Sequence, residues 1–210
     1  MYITLRRGQI ATDQVAATTF AIEMAELVEQ TTGDAIGVWA SVYGMPLGTL
    51  SWTGQVEGFA DAATRTQKLM ENPEYLSRVA AAGEQGLFIP GSFEDGIARV
   101  VHTAGEPGPM LYASTTMGSP APGKAMQAHE LAVEMADHVA AVTGNQLTLC
   151  TSNYGSAMGT MIFFMGYAGA DSIDATQDAL MTDAGYQDLM VRAAEVFMPD
   201  GQRNLAQRLN

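Results

Sequence analysis

The sequence predicts an α+β fold in which one unit of two helices and four strands occurs twice. A Tyr-Gly-x-x-x-Gly-Thr segment at residues 43–49 returns at residues 154–160, which is 111 positions later. Each copy lies between two strand-like runs, as expected for a hairpin in which glycines accept positive φ. A long helical pattern that ends at a glycine precedes each copy, with Gly33 in the first and Gly144 in the second.

The similarity between the two copies extends well beyond this segment. Residues 21–59 align without a gap to residues 132–170, and 13 of the 39 positions are identical. Unrelated segments of this length and of ordinary composition would share about three identical positions. A match of this length indicates an internal duplication, and the period is too long for a solenoid repeat.

The elements of the first copy follow from hydrophobic periodicity and from turn residues. We expect a strand at 2–7, a helix at 14–32 capped by Thr12 or Asp13, strands at 35–43 and 49–56, a helix at 61–71, a short helix from Asn72-Pro73, a loop at 83–93 and a strand at 96–103. The order β-α-β-β-α-β is that of a ferredoxin-like unit.

The second copy repeats this order. We expect a strand at 110–116, a helix at 123–142, strands at 146–154 and 160–167, helices from 172 and around 186–190, and a last strand at 204–209. Residues 1–104 and 110–210 are therefore predicted to be two ferredoxin-like repeats, joined by a Gly- and Pro-rich linker at 105–109. A four-stranded sheet with helices on one face leaves its other face bare. We expect the tandem repeats to pack sheet to sheet as a single-chain α/β barrel.

Composition limits the classes of function. The chain has 210 residues, 47% of them hydrophobic, which is typical of a globular protein. Its net charge of −13, with 10 Lys and Arg in total, argues against binding to nucleic acid or to an acidic membrane surface. One cysteine allows no disulfide within the chain. No apolar run is long enough to span a membrane and no leader pattern is present, so we expect a cytoplasmic protein.

A mixed aromatic and hydroxyl face is the candidate ligand-binding surface. Trp39, Ser41 and Tyr43 alternate with aliphatic residues that should pack beneath the helices. Polar groups set among aromatic side chains are typical of small-molecule sites. The residues that we predict to bind a ligand are those three, their equivalents in the second copy, and one aromatic from each following strand: Trp39, Ser41, Tyr43, Trp52, Cys150, Ser152, Tyr154 and Phe163. The alternative is that these side chains only interlock between the two sheets.

Three residues are candidates for proton transfer. The hydroxyls of Tyr43 and Tyr154 could donate a proton or orient a carbonyl group. His138 stands where the first copy has Leu27, and an imidazole titrates near neutral pH. The alternatives are tyrosines that pack at strand ends, and a boundary histidine with a carboxylate partner such as Glu134. We expect no metal site, because the three histidines form no His-x-x-x-His pair. We also expect no cofactor, and haem bound through one of the histidines is left open.

Short motifs in the first copy resemble a known family. The segments Gly44-x-Pro46-x-Gly48-Thr49-Leu50-x-Trp52 and Asn72-Pro73-Glu74-Tyr75-Leu76 are similar to those of NIPSNAP-like proteins in the dimeric α/β-barrel superfamily. The resemblance covers most of the first repeat and, more weakly, the second, where Phe163 replaces Trp52 and Asp183-Ala184-Gly185-Tyr186 replaces the Asn-Pro-Glu-Tyr turn. It implies the barrel fold. Related barrels include cofactor-independent monooxygenases, isomerases and haem enzymes.

Three functions are compatible with this pattern. The leading hypothesis is a NIPSNAP-like barrel protein that binds a small, largely apolar molecule between the two sheets. A cofactor-independent monooxygenase or isomerase is the first alternative, and a structural or interaction protein with a filled barrel is the second. Association of two such chains into a homodimer is a further expectation.

Overall fold

A computed structural model describes all residues from Met1 to Asn210. It contains six helices and eight strands, and the strands form a closed barrel in the order β1-β3-β2-β8-β5-β7-β6-β4. The strands are β1 Tyr2–Gln9, β2 Gly37–Tyr43, β3 Thr49–Val56, β4 Glu94–Ala104, β5 Tyr112–Gly118, β6 Leu147–Tyr154, β7 Met161–Tyr167 and β8 Gln202–Arg208. The predicted α+β barrel of tandem ferredoxin-like repeats is therefore confirmed.

The six helices occupy equivalent places in the two repeats. They are α1 Gln14–Thr32, α2 Phe59–Met70, α3 Pro73–Glu84, α4 Ala125–Thr143, α5 Ala170–Thr182 and α6 Ala184–Val196. The Asp13 carboxylate caps α1 by accepting a hydrogen bond from Ala16 N at 2.9 Å, and Gly33 ends the helix with φ of 85°. Asn72 caps α3, whose first residue is Pro73.

The predicted loop at residues 83–93 was wrong at its start. Helix α3 continues through Gly83 to Glu84. Three alanines precede this glycine, and alanine is the strongest helix former, so the last turn tolerates one glycine.

The chain divides into two compact units. Unit 1 contains Met1–Ile97 together with Arg208–Asn210, and unit 2 contains Ala98–Gln207. The core of unit 1 packs alanines of α1 against one face of its sheet, which includes Val38 of β2 and Leu50 of β3. Small side chains let the helix approach the strands closely, and branched side chains fill the remaining space.

Unit 2 is built in the same way. Alanines of α4 pack against Leu147 and Leu149 of β6 and against Met161 and Met165 of β7. In each unit the helices therefore cover one sheet face. We call the opposite side the helix-free face: Gly37, Trp39, Ser41, Ser51 and Thr53 in unit 1, and Thr148, Cys150, Ser152, Ile162 and Phe164 in unit 2.

The two glycine hairpins adopt matching backbone conformations. Gly44 and Gly48 have φ of 87° and 78°, and their equivalents Gly155 and Gly159 have φ of 92° and 81°. Only glycine adopts these angles without strain. The hairpin prediction is therefore confirmed in both repeats. No helix of the protein combines the length and the apolar character needed to cross a lipid bilayer.

Candidate functional site

The helix-free face of unit 1 is set by the register between β2 and β3. Trp39 pairs with Ser51, and Gly37 pairs with Thr53. Directly opposed residues of an antiparallel ladder project on the same side, so these residues form two adjacent rows. Trp39 and Ser51 are buried, with 8% and 6% of their surface exposed. An indole ring and small hydroxyl side chains thus share one enclosed surface.

The indole of Trp39 is held from two sides. Its Nε1–H donates a hydrogen bond of 2.8 Å to Thr53 Oγ1. The guanidinium carbon of Arg208 lies 5.7 Å from the centroid of its ring, within the range of a cation–π interaction. These two contacts therefore fix the orientation of the ring.

Arg208 is positioned by the two residues that follow it. Leu209 N donates to Val38 O at 2.9 Å. The side-chain amide of Asn210 accepts from Val38 N at 2.8 Å and donates to Ile36 O at 2.7 Å. These three bonds tie the backbone next to Arg208 to strand β2.

Ser41 is the unusual residue of this face. Its Oγ is buried and has no hydrogen-bond partner. The other buried side-chain oxygen without a hydrogen bond, Oδ2 of Asp34, lies 2.6 Å from Arg65 Nη1 in an ion pair. Buried hydroxyls in folded proteins nearly always have a partner. Ser41 therefore leaves an unmet donor and acceptor on the enclosed surface.

The equivalent face of unit 2 has a different chemistry. At the positions of Trp39, Ser51 and Thr53 it carries Cys150, Ile162 and Phe164. Cys150 is fully buried, and burial raises the pKa of its thiol to about 12. The thiol stays protonated and is not an activated nucleophile. Ser152 is buried as well, but the face around it is mostly apolar.

Trp52 and Phe163 lie on the other side of their sheets. The indole Nε1–H of Trp52 donates a hydrogen bond of 3.1 Å to Ala21 O of helix α1. Phe163 packs in the helix-side cores of unit 2. Each is opposed in register by a helix-side residue, Val38 for Trp52 and Leu149 for Phe163. The helix-free faces therefore lack these two of the eight predicted ligand-binding residues.

The two tyrosines end their strands at equivalent, solvent-exposed positions. Tyr43 is the last residue of β2 and 71% exposed, and Tyr154 is the last residue of β6 and 68% exposed.

His138 makes a contact that sequence analysis did not foresee. Its Nε2 lies 2.6 Å from Oδ1 of Asp183, and the same oxygen accepts a hydrogen bond from Tyr186 N at 2.6 Å as the cap of α6. Glu134, the partner suggested by sequence, instead binds Arg192 at 2.7 Å. The hydrogen bond from His138 is the main reason that the pKa of Asp183 falls below its ordinary value. His138 therefore braces the junction of α5 and α6, on the helix side of unit 2.

This junction is tightly packed. A Cβ atom at Gly185 would lie 2.5 Å from His138 Cε1, so the close approach of the imidazole requires glycine there.

No group of three or more His, Cys, Asp or Glu side chains could hold a metal ion.

Three residues of the site were missed by sequence analysis. Ser51 and Thr53 carried a usable signal, since they alternate with Leu50 and Trp52 along β3. Arg208 carried none, because its contact with Trp39 joins residues that are far apart in the sequence.

Comparison with known proteins places the fold. No protein-family model matches the chain, and no curated protein matches it by sequence. A candidate monooxygenase from Fusobacterium nucleatum subsp. nucleatum aligns with 100% of this chain and 92% of its own, at a TM-score of 0.72 and 11% identity. An anthrone oxidase-like protein aligns with 100% of this chain and 91% of its own, at a TM-score of 0.69 and 16% identity.

A match is also found to an uncharacterised NIPSNAP domain protein from Burkholderia xenovorans. It covers 45% of this chain and 91% of that one, with a TM-score of 0.40 and 12% identity. The expected resemblance is confirmed for the barrel fold by the two full-length alignments. At these identities the likeness concerns the fold alone.

Proposed function

We propose that this protein binds a small, largely apolar molecule on the helix-free face of unit 1. The observation that carries the proposal is the buried Ser41 hydroxyl without a partner. Leaving such a group unsatisfied costs about 1–3 kcal/mol, and a ligand with one polar atom would remove this cost on binding.

The surroundings of Ser41 support the same function. Trp39 offers a fixed aromatic surface, and Ser51 and Thr53 add hydroxyls on the neighbouring strand. Small-molecule sites typically combine a mostly apolar lining with a few placed polar groups. The second repeat, with Cys150 and Phe164 at equivalent positions, lacks this combination, so one site per chain is proposed.

A neutral aromatic probe tests the proposal. N-phenyl-1-naphthylamine has a planar apolar body and one polar N–H group, and its fluorescence rises on leaving water. We expect saturable binding of one molecule per chain. Trp39→Leu should weaken binding about 2- to 13-fold, because an aromatic contact contributes about 0.5–1.5 kcal/mol.

Trp52→Phe is the matched control. Trp52 lies on the helix side and Phe163 already occupies the equivalent position, so this variant should bind the probe as the unmodified protein does. Absence of saturable binding would refute the proposal. Equal losses in the two tryptophan variants would also refute it, because the probe would then sense general stability. Circular dichroism checks that each variant is folded.

A further inference from the structure

Five of the eight arginines in this acidic chain are paired with carboxylates. The chain has 23 Asp and Glu against 10 Lys and Arg. Ion pairs with carboxylates engage Arg6, Arg7, Arg65, Arg78 and Arg192. Arg208 forms no such pair, and its guanidinium instead lies over the ring of Trp39. Its contact with an indole ring distinguishes Arg208 from Arg99 and Arg203, which also lack a carboxylate partner.

Hydrogen bonds of the two following residues hold the backbone at Arg208 in place. The bonds from Leu209 and Asn210 to β2 place its backbone beside Trp39. A guanidinium presents planar, forked N–H donors that match carboxylate, sulfonate or phenolate oxygens. Its stacking on an aromatic ring uses the π face of the ring and leaves these donors available.

Ser41 supplies a second polar group on the face that carries the indole. It follows Trp39 by two residues on the same face of β2, a spacing of roughly 6.5 Å along a strand. One planar molecule can therefore contact the indole and reach both the guanidinium and the unpaired hydroxyl. The second repeat has Cys150 in place of Trp39, so the indole that contacts Arg208 has no counterpart at that position.

We infer that the ligand of this face is a planar aromatic anion, whose negative group is bound by Arg208 while its ring contacts Trp39 and a polar atom meets Ser41. The inference rests on the proposed function and adds the charge of the ligand. A neutral aromatic of the same shape binds more weakly, because it leaves the Arg208 charge uncompensated.

Two probes that differ by one charged group provide the test. 8-Anilinonaphthalene-1-sulfonate is N-phenyl-1-naphthylamine with an added sulfonate. Fluorescence titrations should give an affinity about 5- to 10-fold higher for the sulfonate, the effect of one charge-assisted contact at a partly exposed site. Arg208→Gln should remove this preference, lowering the affinity for the sulfonate more than the affinity for the neutral probe, whereas Arg208→Lys should keep part of it.

Arg99→Gln is the matched control. Arg99 also lacks a carboxylate partner, and it belongs to unit 2, so its loss should leave the preference unchanged. If neither probe binds, the proposed function fails and the inference fails with it. If both probes bind equally, or if Arg208→Gln weakens both alike, binding at this face stands and the anionic ligand is refuted.

Discussion

Replacing Ser41 with alanine should stabilise the protein in the absence of ligand. The change removes a buried oxygen that has no hydrogen-bond partner, and it leaves no new polar atom unsatisfied. An unsatisfied buried polar group costs about 1–3 kcal/mol, so the free energy of unfolding should rise by about 1 kcal/mol or more. For a chain of this size, 1 kcal/mol corresponds to an increase in Tm of about 2–4 °C.

Thermal melts followed by circular dichroism measure this change. Ser152→Ala is the control, because Ser152 is the equivalent residue and its oxygen is not among the buried atoms without a partner. It should leave Tm unchanged or lower it. The same Ser41→Ala variant should bind the aromatic probes less tightly, as expected where a binding residue is kept at the expense of stability. A lower Tm for Ser41→Ala would show that its hydroxyl is satisfied, and it would remove the main support for the site.

Three further predictions concern stability and reactivity. Gly48→Val and Gly159→Val should each reduce the free energy of unfolding by about 1–3 kcal/mol, because φ is 78° and 81° there; unequal losses in thermal melts would contradict the equivalence of the hairpins. Cys150, fully buried and with its pKa raised to about 12, should react with a thiol-specific disulfide reagent only after unfolding in urea, and rapid labelling of the native protein would contradict its burial. His138 lowers the pKa of Asp183, so the stabilisation from this carboxylate is present above its unfolded pKa of about 3.9 and is lost as the pH falls through the lower folded value. Asp183→Asn should therefore show a weaker loss of stability between about pH 5 and pH 2 in urea titrations, and an unchanged acid profile would show that the pair with His138 contributes nothing.

Several features of the fold followed from local patterns. The bounds of α1 and β3 were predicted to the residue, and Gly33 ends α1 as expected. Of the two expected N-caps, Thr12 and Asp13, the structure has Asp13. The duplication predicted that the two glycine hairpins would match, and their φ angles do. These features depend on interactions between residues close in sequence, such as helix capping and backbone freedom, so a sequence pattern is enough to predict them.

Local patterns were less informative about the residues of the site. Trp39 and Trp52 are both aromatic strand residues, and the sequence placed both in the candidate ligand site. The β2–β3 register pairs Trp52 with Val38, so the indole of Trp52 projects toward α1. The indole of Trp39 projects to the helix-free face. A shift of one residue in this register would exchange the two faces, and only the folded hairpin decides it.

Local patterns along the chain specify the duplicated β-α-β-β-α-β order, the two glycine hairpins and the aliphatic strand faces that pack under the helices. The unpaired hydroxyl of Ser41, the contact of His138 with Asp183 and the position of Arg208 over Trp39 became visible in the folded protein. The difference lies in the sequence separation over which the two kinds of interaction act. Secondary structure and turns depend on neighbours along the chain, whereas the partner of a polar side chain is any group that folding brings within about 3 Å of it.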